Sequence, residues 1–256
     1  MAFIIRRLPG LSCFPPSKNR PKSVVVLLVM GEMIEFPSNG KPGTGYLAVP
    51  QTGSGPGIVV MQEWWGIVPH IKDVCDRFAA AGFTALAPDL YHGKVTTEPD
   101  EAGKYMMALE VGRATKDMSG AVDELVRRTG RAKFGAVGFC MGGGLALALA
   151  VARPDAVAAV APFYGVIGWP DAAPDYASMT AAVQGHYAEH DDYAAPPASR
   201  ALEAQLKDLG KEAEIFIYPG TQHAFFNDTR PEVYDAGASR QAWERVIPFF
   251  HRHLDS

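Results

Sequence analysis

Short apolar runs alternate with longer amphipathic segments along most of the chain, which is typical of strands that alternate with helices. Strands are predicted at 33–36, 44–49, 58–62, 83–87, 133–139, 157–163, 180–185 and 214–218, and helices at 70–81, at two segments within 98–130, and at 145–152, 197–209 and 239–253. The first two strands flank Ser38-Asn39-Gly40, a turn typical of an antiparallel hairpin. The later strands are apolar throughout, which indicates a mostly parallel sheet with helices on both faces. We therefore predict a single α/β domain over 32–256.

The segment 134–152 has 19 residues and no charge, so its length alone would allow a membrane-spanning helix. It also contains five glycines, three of them consecutive at 142–144. Its first part predicts a buried strand, the consecutive glycines a turn, and 145–152 a helix of small residues that ends at Arg153-Pro154. We interpret the run as part of a globular core and expect no membrane partner.

The segment 1–31 differs in composition from the rest of the chain. It holds five of the 24 basic residues, none of the 28 acidic residues and four prolines. We predict a disordered extension, with a transit or export segment as the alternative. The body is therefore more acidic than the net charge of −4 indicates, which argues against a nucleic-acid partner. Three widely spaced cysteines without a CxxC motif indicate a reducing compartment, so we expect a cytoplasmic protein. We also expect a monomer or small homo-oligomer.

Cys140 is the central residue of Gly138-Phe-Cys-Met-Gly142, between a predicted strand and a predicted helix. This is the G-x-S-x-G pattern of a nucleophile elbow with a thiol in place of the hydroxyl, and no G-x-S-x-G occurs elsewhere in the chain. The turn requires small residues two positions before and after the nucleophile. It also places the thiol at a helix N-terminus, where negative charge is favoured. The simpler alternative is a small buried apolar residue, but the strand–turn–helix context favours a nucleophile.

Such an elbow needs an acid and then a histidine further along the chain. His186-Tyr-Ala-Glu-His-Asp-Asp192 follows one predicted strand, and Pro219-Gly-Thr-Gln-His223 follows the next. We predict His223 as the base and Asp191 as the carboxylate that orients it, with Asp192 as the alternative that spacing leaves open. His186 and His190 beside two aspartates could also form a metal site, but a polar loop is the simpler interpretation, and we expect no metal.

Glu63 directly follows the predicted strand 58–62 and should lie beside the elbow at the same edge of the sheet. A carboxylate there could meet the thiol, and the backbone N–H groups of Trp64 and Met141 could form an oxyanion hole. The alternative for Glu63 is an ordinary surface glutamate.

These motifs together resemble the dienelactone hydrolase family, the cysteine-using branch of the α/β-hydrolase fold. The resemblance covers about 33–254 and rests on Gln62-Glu-Trp-Trp-Gly66, Pro88-Asp-Leu-Tyr91, Gly138-Phe-Cys-Met-Gly-Gly143 and Tyr218-Pro-Gly-Thr-Gln-His223. It implies a hydrolase that cleaves a lactone or small ester through an acyl-cysteine intermediate, without a cofactor or metal. It also implies that Glu63 gates the thiol until a substrate carboxylate displaces it, and it favours Asp191 over Asp192.

Two positions depart from the family pattern. The best-known members have arginines there that hold the substrate carboxylate, whereas this chain has Gly93 and Asn227. Lys94 or Arg230 could replace them, although a lysine is not an equivalent bidentate partner. If neither lies in the pocket, a neutral substrate is expected.

The remaining expectations concern the pocket and the rival functions. Aromatic candidates for the pocket wall are Trp64, Trp65, Tyr91 and Trp169. The expected partner is a small-molecule ester or lactone. The alternatives are a general carboxylesterase or thioesterase on the same scaffold, and a catalytically silent protein of this fold that binds a small ligand.

Overall fold

The computed structural model describes residues 30–168 and 173–255. The strands are β1 (Glu32–Ser38), β2 (Lys41–Ala48), β3 (Gly57–Met61), β4 (Thr84–Pro88), β5 (Phe134–Phe139), β6 (Val157–Phe163), β7 (Ala182–His190) and β8 (Ala213–Gln222). The helices are α1 (Pro69–Ala80), α2 (Pro99–Met107), α3 (Val111–Thr129), α4 (Met141–Ala152), α5 (Pro196–Asp208) and α6 (Ala236–Leu254), and a single turn of 3₁₀-helix, Tyr176–Ser178, precedes β7. Most of the predicted extension, 1–29, and the pocket candidate Trp169 lie outside the described residues.

The eight strands form one sheet in the order β1-β2-β4-β3-β5-β6-β7-β8. β1 and β2 form the predicted antiparallel hairpin, which turns at Asn39 and Gly40, both with positive φ. β2 is also antiparallel to β4. In the rest of the sheet, β4-β3-β5-β6-β7-β8, each strand is parallel to the next. The predicted mostly parallel α/β sheet is therefore confirmed.

Helices cover both faces of the sheet. One buried apolar cluster includes side chains of α1 and α6, and a second includes side chains of α3, α4 and α5. Every residue of β3, β4 and β5 is buried, which explains why these strands are apolar throughout. The uncharged run 134–152 forms β5 and α4 inside this core. Among the described residues, no helix combines the length and the apolar character needed to cross a membrane.

Three of the element boundaries that differ from the prediction lie at the carboxyl end of the sheet. α4 begins at Met141 rather than at 145, because the three glycines form its first turn instead of a separate loop. β7 continues to His190 and β8 to Gln222, several residues beyond the predicted strands. As a result, Cys140, Asp191 and His223 are each the first residue after a strand of the parallel sheet.

Candidate active site

Cys140 occupies a strained turn between β5 and α4. Its φ of 55° and ψ of −121° lie in a region that L-residues rarely adopt. The turn is held by two backbone hydrogen bonds: Cys140 N donates to Phe163 O at 3.0 Å, and Gly143 N donates to Cys140 O at 2.9 Å. The side chain is partly exposed and faces a cleft at the carboxyl end of the sheet. This is the backbone of a nucleophile elbow.

Small residues around Cys140 allow this turn. A Cβ at position 138 would collide with the carbonyl oxygen of Gly142. A Cβ at position 142 would lie 2.5 Å from the carbonyl oxygen of Gln62 at the end of β3, and a Cβ at position 165 would collide with the carbonyl oxygen of Cys140. The predicted need for small neighbours thus has a direct steric cause.

His223 and Asp191 form a partly buried hydrogen bond. His223 Nδ1 lies 2.8 Å from Asp191 Oδ2, and the side chain of Asp191 is fully buried. The other oxygen, Oδ1, accepts hydrogen bonds from the backbone N–H groups of Tyr193 and Ala194 at 2.8 and 2.9 Å. Asp192 is exposed instead. Of the two candidate aspartates, Asp191 is therefore the one that contacts the histidine.

The two partners shift each other's protonation. Burial of the His223 ring favours its neutral form, but the hydrogen bond to Asp191 and the interaction with the Cys140 sulfur outweigh burial and raise the pKa of His223 to about 10. Burial also opposes the charge of Asp191, but His223 and the two backbone N–H groups outweigh it and lower the pKa of Asp191. Both effects favour a charged pair at neutral pH.

Glu63 is buried, not a surface residue, so that alternative is wrong. Its side chain lines the same cleft as Cys140 with only 1% of the residue exposed. Glu63 Oε1 accepts a hydrogen bond from the Tyr164 hydroxyl at 3.3 Å, and Oε2 accepts one from Asn227 Nδ2 at 2.7 Å. Burial and the nearby Glu63 carboxylate raise the pKa of Tyr164 well above its usual value, so the hydroxyl stays a donor. A buried carboxylate is tolerated here because both its oxygens are bonded.

Tyr164 and Asn227 belong to the candidate site through their hydrogen bonds to Glu63, which the sequence alone does not predict. Tyr164 is the first residue after β6, the same strand-end position that identified Cys140, and this signal could have found it. Asn227 was identified only as a departure from the family pattern. Its Oδ1 accepts hydrogen bonds from the backbone N–H and the hydroxyl of Thr229, which orients the amide nitrogen toward Glu63.

The backbone N–H groups of Trp64 and Met141 are available to a ligand. Trp64 follows Glu63 in the turn after β3, and Met141 is the first residue of α4. Within the described part of the chain, neither group donates to a protein acceptor. Both residues line the cleft that holds Cys140.

The cleft has a volume of about 800 Å³. The described residues that line it besides those above include Trp65, Met106, Met107, Val166, Tyr193, Arg230 and Val233. Arg230 Nε donates to Glu232 at 2.8 Å, and its guanidinium carbon lies 6.0 Å from the centre of the Trp65 ring. Of the two proposed replacement cations, Arg230 thus lies in the cleft.

Tyr91 and Lys94, which were predicted as pocket residues, do not line the cleft of Cys140. They line a separate depression of about 200 Å³. Tyr91 packs behind the elbow, where its hydroxyl contacts the Met141 sulfur at 3.4 Å, and Lys94 lies over the ring of Tyr105. The loop after β4 turns away at His92 and Gly93, which both have positive φ.

The two histidines weighed as metal ligands have other surroundings. His186 is fully buried, and burial lowers its pKa to about 3, while its Nδ1 is 2.9 Å from the Tyr218 hydroxyl. His190 is exposed and lies beside Glu189. No group of three or more His, Cys, Asp or Glu side chains in the described ranges has an arrangement that could hold a metal.

Comparisons with known proteins agree on one family. The model of the dienelactone hydrolase family matches residues 44–254. "Protein usf" of Aquifex pyrophilus is 37% identical over 234 residues, which are 88% of this chain and the whole of that protein. A protein of Aquifex aeolicus named "Putative carboxymethylenebutenolidase" is 35% identical over 239 residues, with the same coverage.

Solved structures show the same architecture. A "Putative Dienelactone Hydrolase" from Klebsiella pneumoniae superimposes with a TM-score of 0.80 at 25% identity, over 88% of this chain and 99% of that one. A dienelactone hydrolase from Anabaena variabilis has a TM-score of 0.65 at 21% identity, over 89% and 99% of the two chains. The sheet and its helices are thus an α/β-hydrolase fold. The chain belongs to the dienelactone hydrolase family and is a hydrolase of carboxylic esters or lactones.

Proposed function

We propose that this hydrolase cleaves a lactone or carboxylic ester through an acyl-cysteine intermediate, with Cys140 as nucleophile, His223 as base and Asp191 as its orienting carboxylate. One observation carries the proposal: the three residues directly follow three strands of the parallel sheet, Cys140 and His223 line the same cleft, and His223 Nδ1 lies 2.8 Å from Asp191 Oδ2. Nucleophile, acid and histidine also occur in the chain order of this fold.

The first half-reaction forms the acyl-enzyme. The Nδ1–H group of His223 donates a hydrogen bond to Asp191. Nε2 is therefore free to accept the proton of the Cys140 thiol. The thiolate of Cys140 attacks the substrate carbonyl carbon, a C–S bond forms, and the C–O bond to the alcohol breaks. The Nε2 proton passes to the leaving oxygen, which stays attached to the acyl group when the substrate is a lactone.

The second half-reaction releases the acid. A water molecule attacks the thioester carbonyl and gives a proton to His223 Nε2, after which the C–S bond breaks and the thiolate returns. The carbonyl oxygen becomes negatively charged in both half-reactions. The unpaired N–H groups of Trp64 and Met141 are proposed to bind it as the oxyanion hole.

Glu63 is proposed to gate the thiol. In the described arrangement Tyr164 and Asn227 occupy both of its oxygens, and among the described residues no hydrogen bond joins Glu63 to Cys140. Glu63 thus does not hold the thiol in this arrangement, as expected for the open state of such a gate.

The test compares wild type, Cys140→Ala and His223→Ala on p-nitrophenyl acetate and on small lactones, with Cys75→Ala as the control. Cys75 is buried, and burial raises the pKa of its thiol well above the usual value, so its loss should leave turnover intact. We expect kcat/KM to fall at least about hundredfold in the first two variants. Mass spectrometry of quenched wild type should find the acyl group on Cys140.

Three outcomes would contradict the proposal. Equal turnover in wild type and both active-site variants would exclude the thiol mechanism. Slow, uniform labelling of Cys140 and Cys75 by iodoacetamide, without turnover, would favour a silent ligand-binding protein. Loss of turnover on adding a chelator would indicate a metal-dependent hydrolase.

A second candidate is a general carboxylesterase or thioesterase that uses the same residues. It is favoured by Asn227, which donates to Glu63 where the family pattern has an arginine for the substrate carboxylate. Faster turnover of neutral acyl esters or thioesters than of carboxylate-bearing lactones would select it.

A further inference from the structure

The cleft above Cys140 is much larger than a single-ring lactone requires. Its volume of about 800 Å³ lies in the upper part of the range, roughly 300–1,000 Å³, of pockets that enclose ligands of the size of a typical drug. A small ester bound at Cys140 would leave most of this volume filled with water. The size of the cleft therefore indicates a substrate with a large group beside the scissile bond.

The outer part of the cleft is lined by unusually exposed apolar side chains. Met107 at the end of α2 is 83% exposed, and Tyr193 in the loop after β7 is 76% exposed. Trp65, in the turn after β3, is partly buried. Exposed apolar side chains that converge on one cleft are typical of a binding site, because a ligand removes them from water.

Two methionines from α2, Met106 and Met107, contribute to the same cleft, whereas the sulfur of Met141 contacts Tyr91 behind the elbow. A methionine side chain is unbranched, flexible and polarizable, so it adapts its shape to apolar ligands. Such a lining can bind bulky apolar groups of different shapes.

Charged groups take up only part of the site. The buried Glu63 is bonded through both oxygens, and His223 is bonded to Asp191. The guanidinium of Arg230 is held from one side by Glu232 and lies over Trp65. His190 and Asp192, both exposed, also line the cleft next to Tyr193, and the wall around Met106 and Met107 offers apolar surface.

We infer that the substrate class is a lactone or ester that carries a bulky apolar group, and that this group lies against Trp65, Met106, Met107 and Tyr193. The inference rests on the proposed function, since it takes Cys140 as the point where the ester is cleaved. It identifies Met107 as a specificity residue. No part of the catalytic machinery includes that side chain.

The experiment measures kcat/KM for p-nitrophenyl acetate, butyrate, hexanoate and octanoate, each below its micelle concentration. A fully buried methylene is worth about a fourfold gain. With only part of the added chain buried, we expect the octanoate ester to exceed the acetate ester by at least about tenfold. A smaller ratio would overturn the inference. Turnover of acetate that depends on Cys140 would leave the proposed function intact in that case, whereas equal turnover by Cys140→Ala would refute the proposed function itself.

Variants then test where the chain binds. Met107→Glu places a charge on the inferred surface and should lower the octanoate-to-acetate ratio at least about threefold, whereas Met107→Leu should preserve it. Met30→Glu is the matched control, because Met30 is 79% exposed and does not line the cleft. An unchanged ratio in Met107→Glu, or an equal decrease in Met30→Glu, would overturn the assignment to this surface.

Discussion

Replacing Asp191 by asparagine removes one charge from the buried pair and keeps the shape of the side chain. His223 has a pKa raised from 6.5 to about 10, and Asp191 contributes to this through a 2.8 Å hydrogen bond and through its charge. An opposite charge at this distance typically raises such a pKa by about 1 to 3. In Asp191→Asn we therefore expect the pKa of His223 to lie between about 7 and 9.

The assay is the pH profile of kcat/KM for p-nitrophenyl acetate. In the proposed mechanism His223 must carry a proton to give to the leaving oxygen, so activity should fall as pH rises through the pKa of His223. The alkaline decrease should lie near pH 10 in wild type and at a lower pH in Asp191→Asn. Asp192→Asn is the matched control, because Asp192 is adjacent but exposed. An alkaline decrease at the same pH in all three proteins would refute the reasoning.

The same pair makes stability depend on pH. The pKa of His223 is higher in the folded state than its unfolded value of 6.5, so the folded state holds this proton more tightly. The resulting stabilisation is fully present below pH 6.5 and is lost as pH rises toward about 10. Asp191→Asn removes the part of this stabilisation that comes from Asp191, so it should lower the free energy of unfolding at pH 6 by about 1.4 to 4 kcal/mol. Urea titrations at pH 6 and pH 9.5 should find a smaller difference between wild type and Asp191→Asn at the higher pH.

Three further changes test separate parts of the site. Gly138→Ala forces a Cβ into the carbonyl of Gly142, so we expect most turnover to be lost and the melting temperature to fall by several degrees. Gly112 has open space around it, so Gly112→Ala should change neither turnover nor melting temperature. Asn227→Leu removes the 2.7 Å donor to buried Glu63 and should lower the free energy of unfolding by about 1.5 to 3 kcal/mol in urea titrations; an unchanged midpoint would contradict the role of this bond. Arg230→Gln should lower kcat/KM for a carboxylate-bearing ester about tenfold and for a neutral ester less than about twofold, and equal decreases for both would mean that the guanidinium does not contact the substrate.

The sheet, and the polar residues that follow its strands, can be predicted from the sequence because both depend on local patterns. The apolar strands, the hairpin turn and the small residues around Cys140 each have a signature within a few residues of sequence. Parallel strands bring their carboxyl ends to one edge, so Cys140, Asp191 and His223 could be expected near each other before any distance was known.

The strand lengths were not predictable in the same way. The prediction ended β7 before His186, because a run of polar residues is typical of a loop. In the structure His186 is buried inside β7, where it is neutral and hydrogen-bonded to Tyr218. The glycines at 142–144 likewise predicted a turn. They form the first turn of α4 instead. Glycine is needed there because this turn packs so closely against the backbone of 61–62 and of 163–167 that no side chain fits.

The surroundings of Glu63 depend on contacts that no local pattern contains. Its two donors, Tyr164 and Asn227, are 101 and 164 residues away in the chain and reach it only because the sheet brings β3, β6 and the loop after β8 together. The lining of the cleft has the same origin, since α2 and the loops after β3, β6, β7 and β8 contribute to it. In the proposed mechanism, residues at strand ends carry out the reaction, and side chains from distant loops are proposed to select the ester. The class of reaction can therefore be predicted from short sequence motifs. The size and polarity of the substrate can be inferred only from the folded structure, which brings those loops together around the cleft.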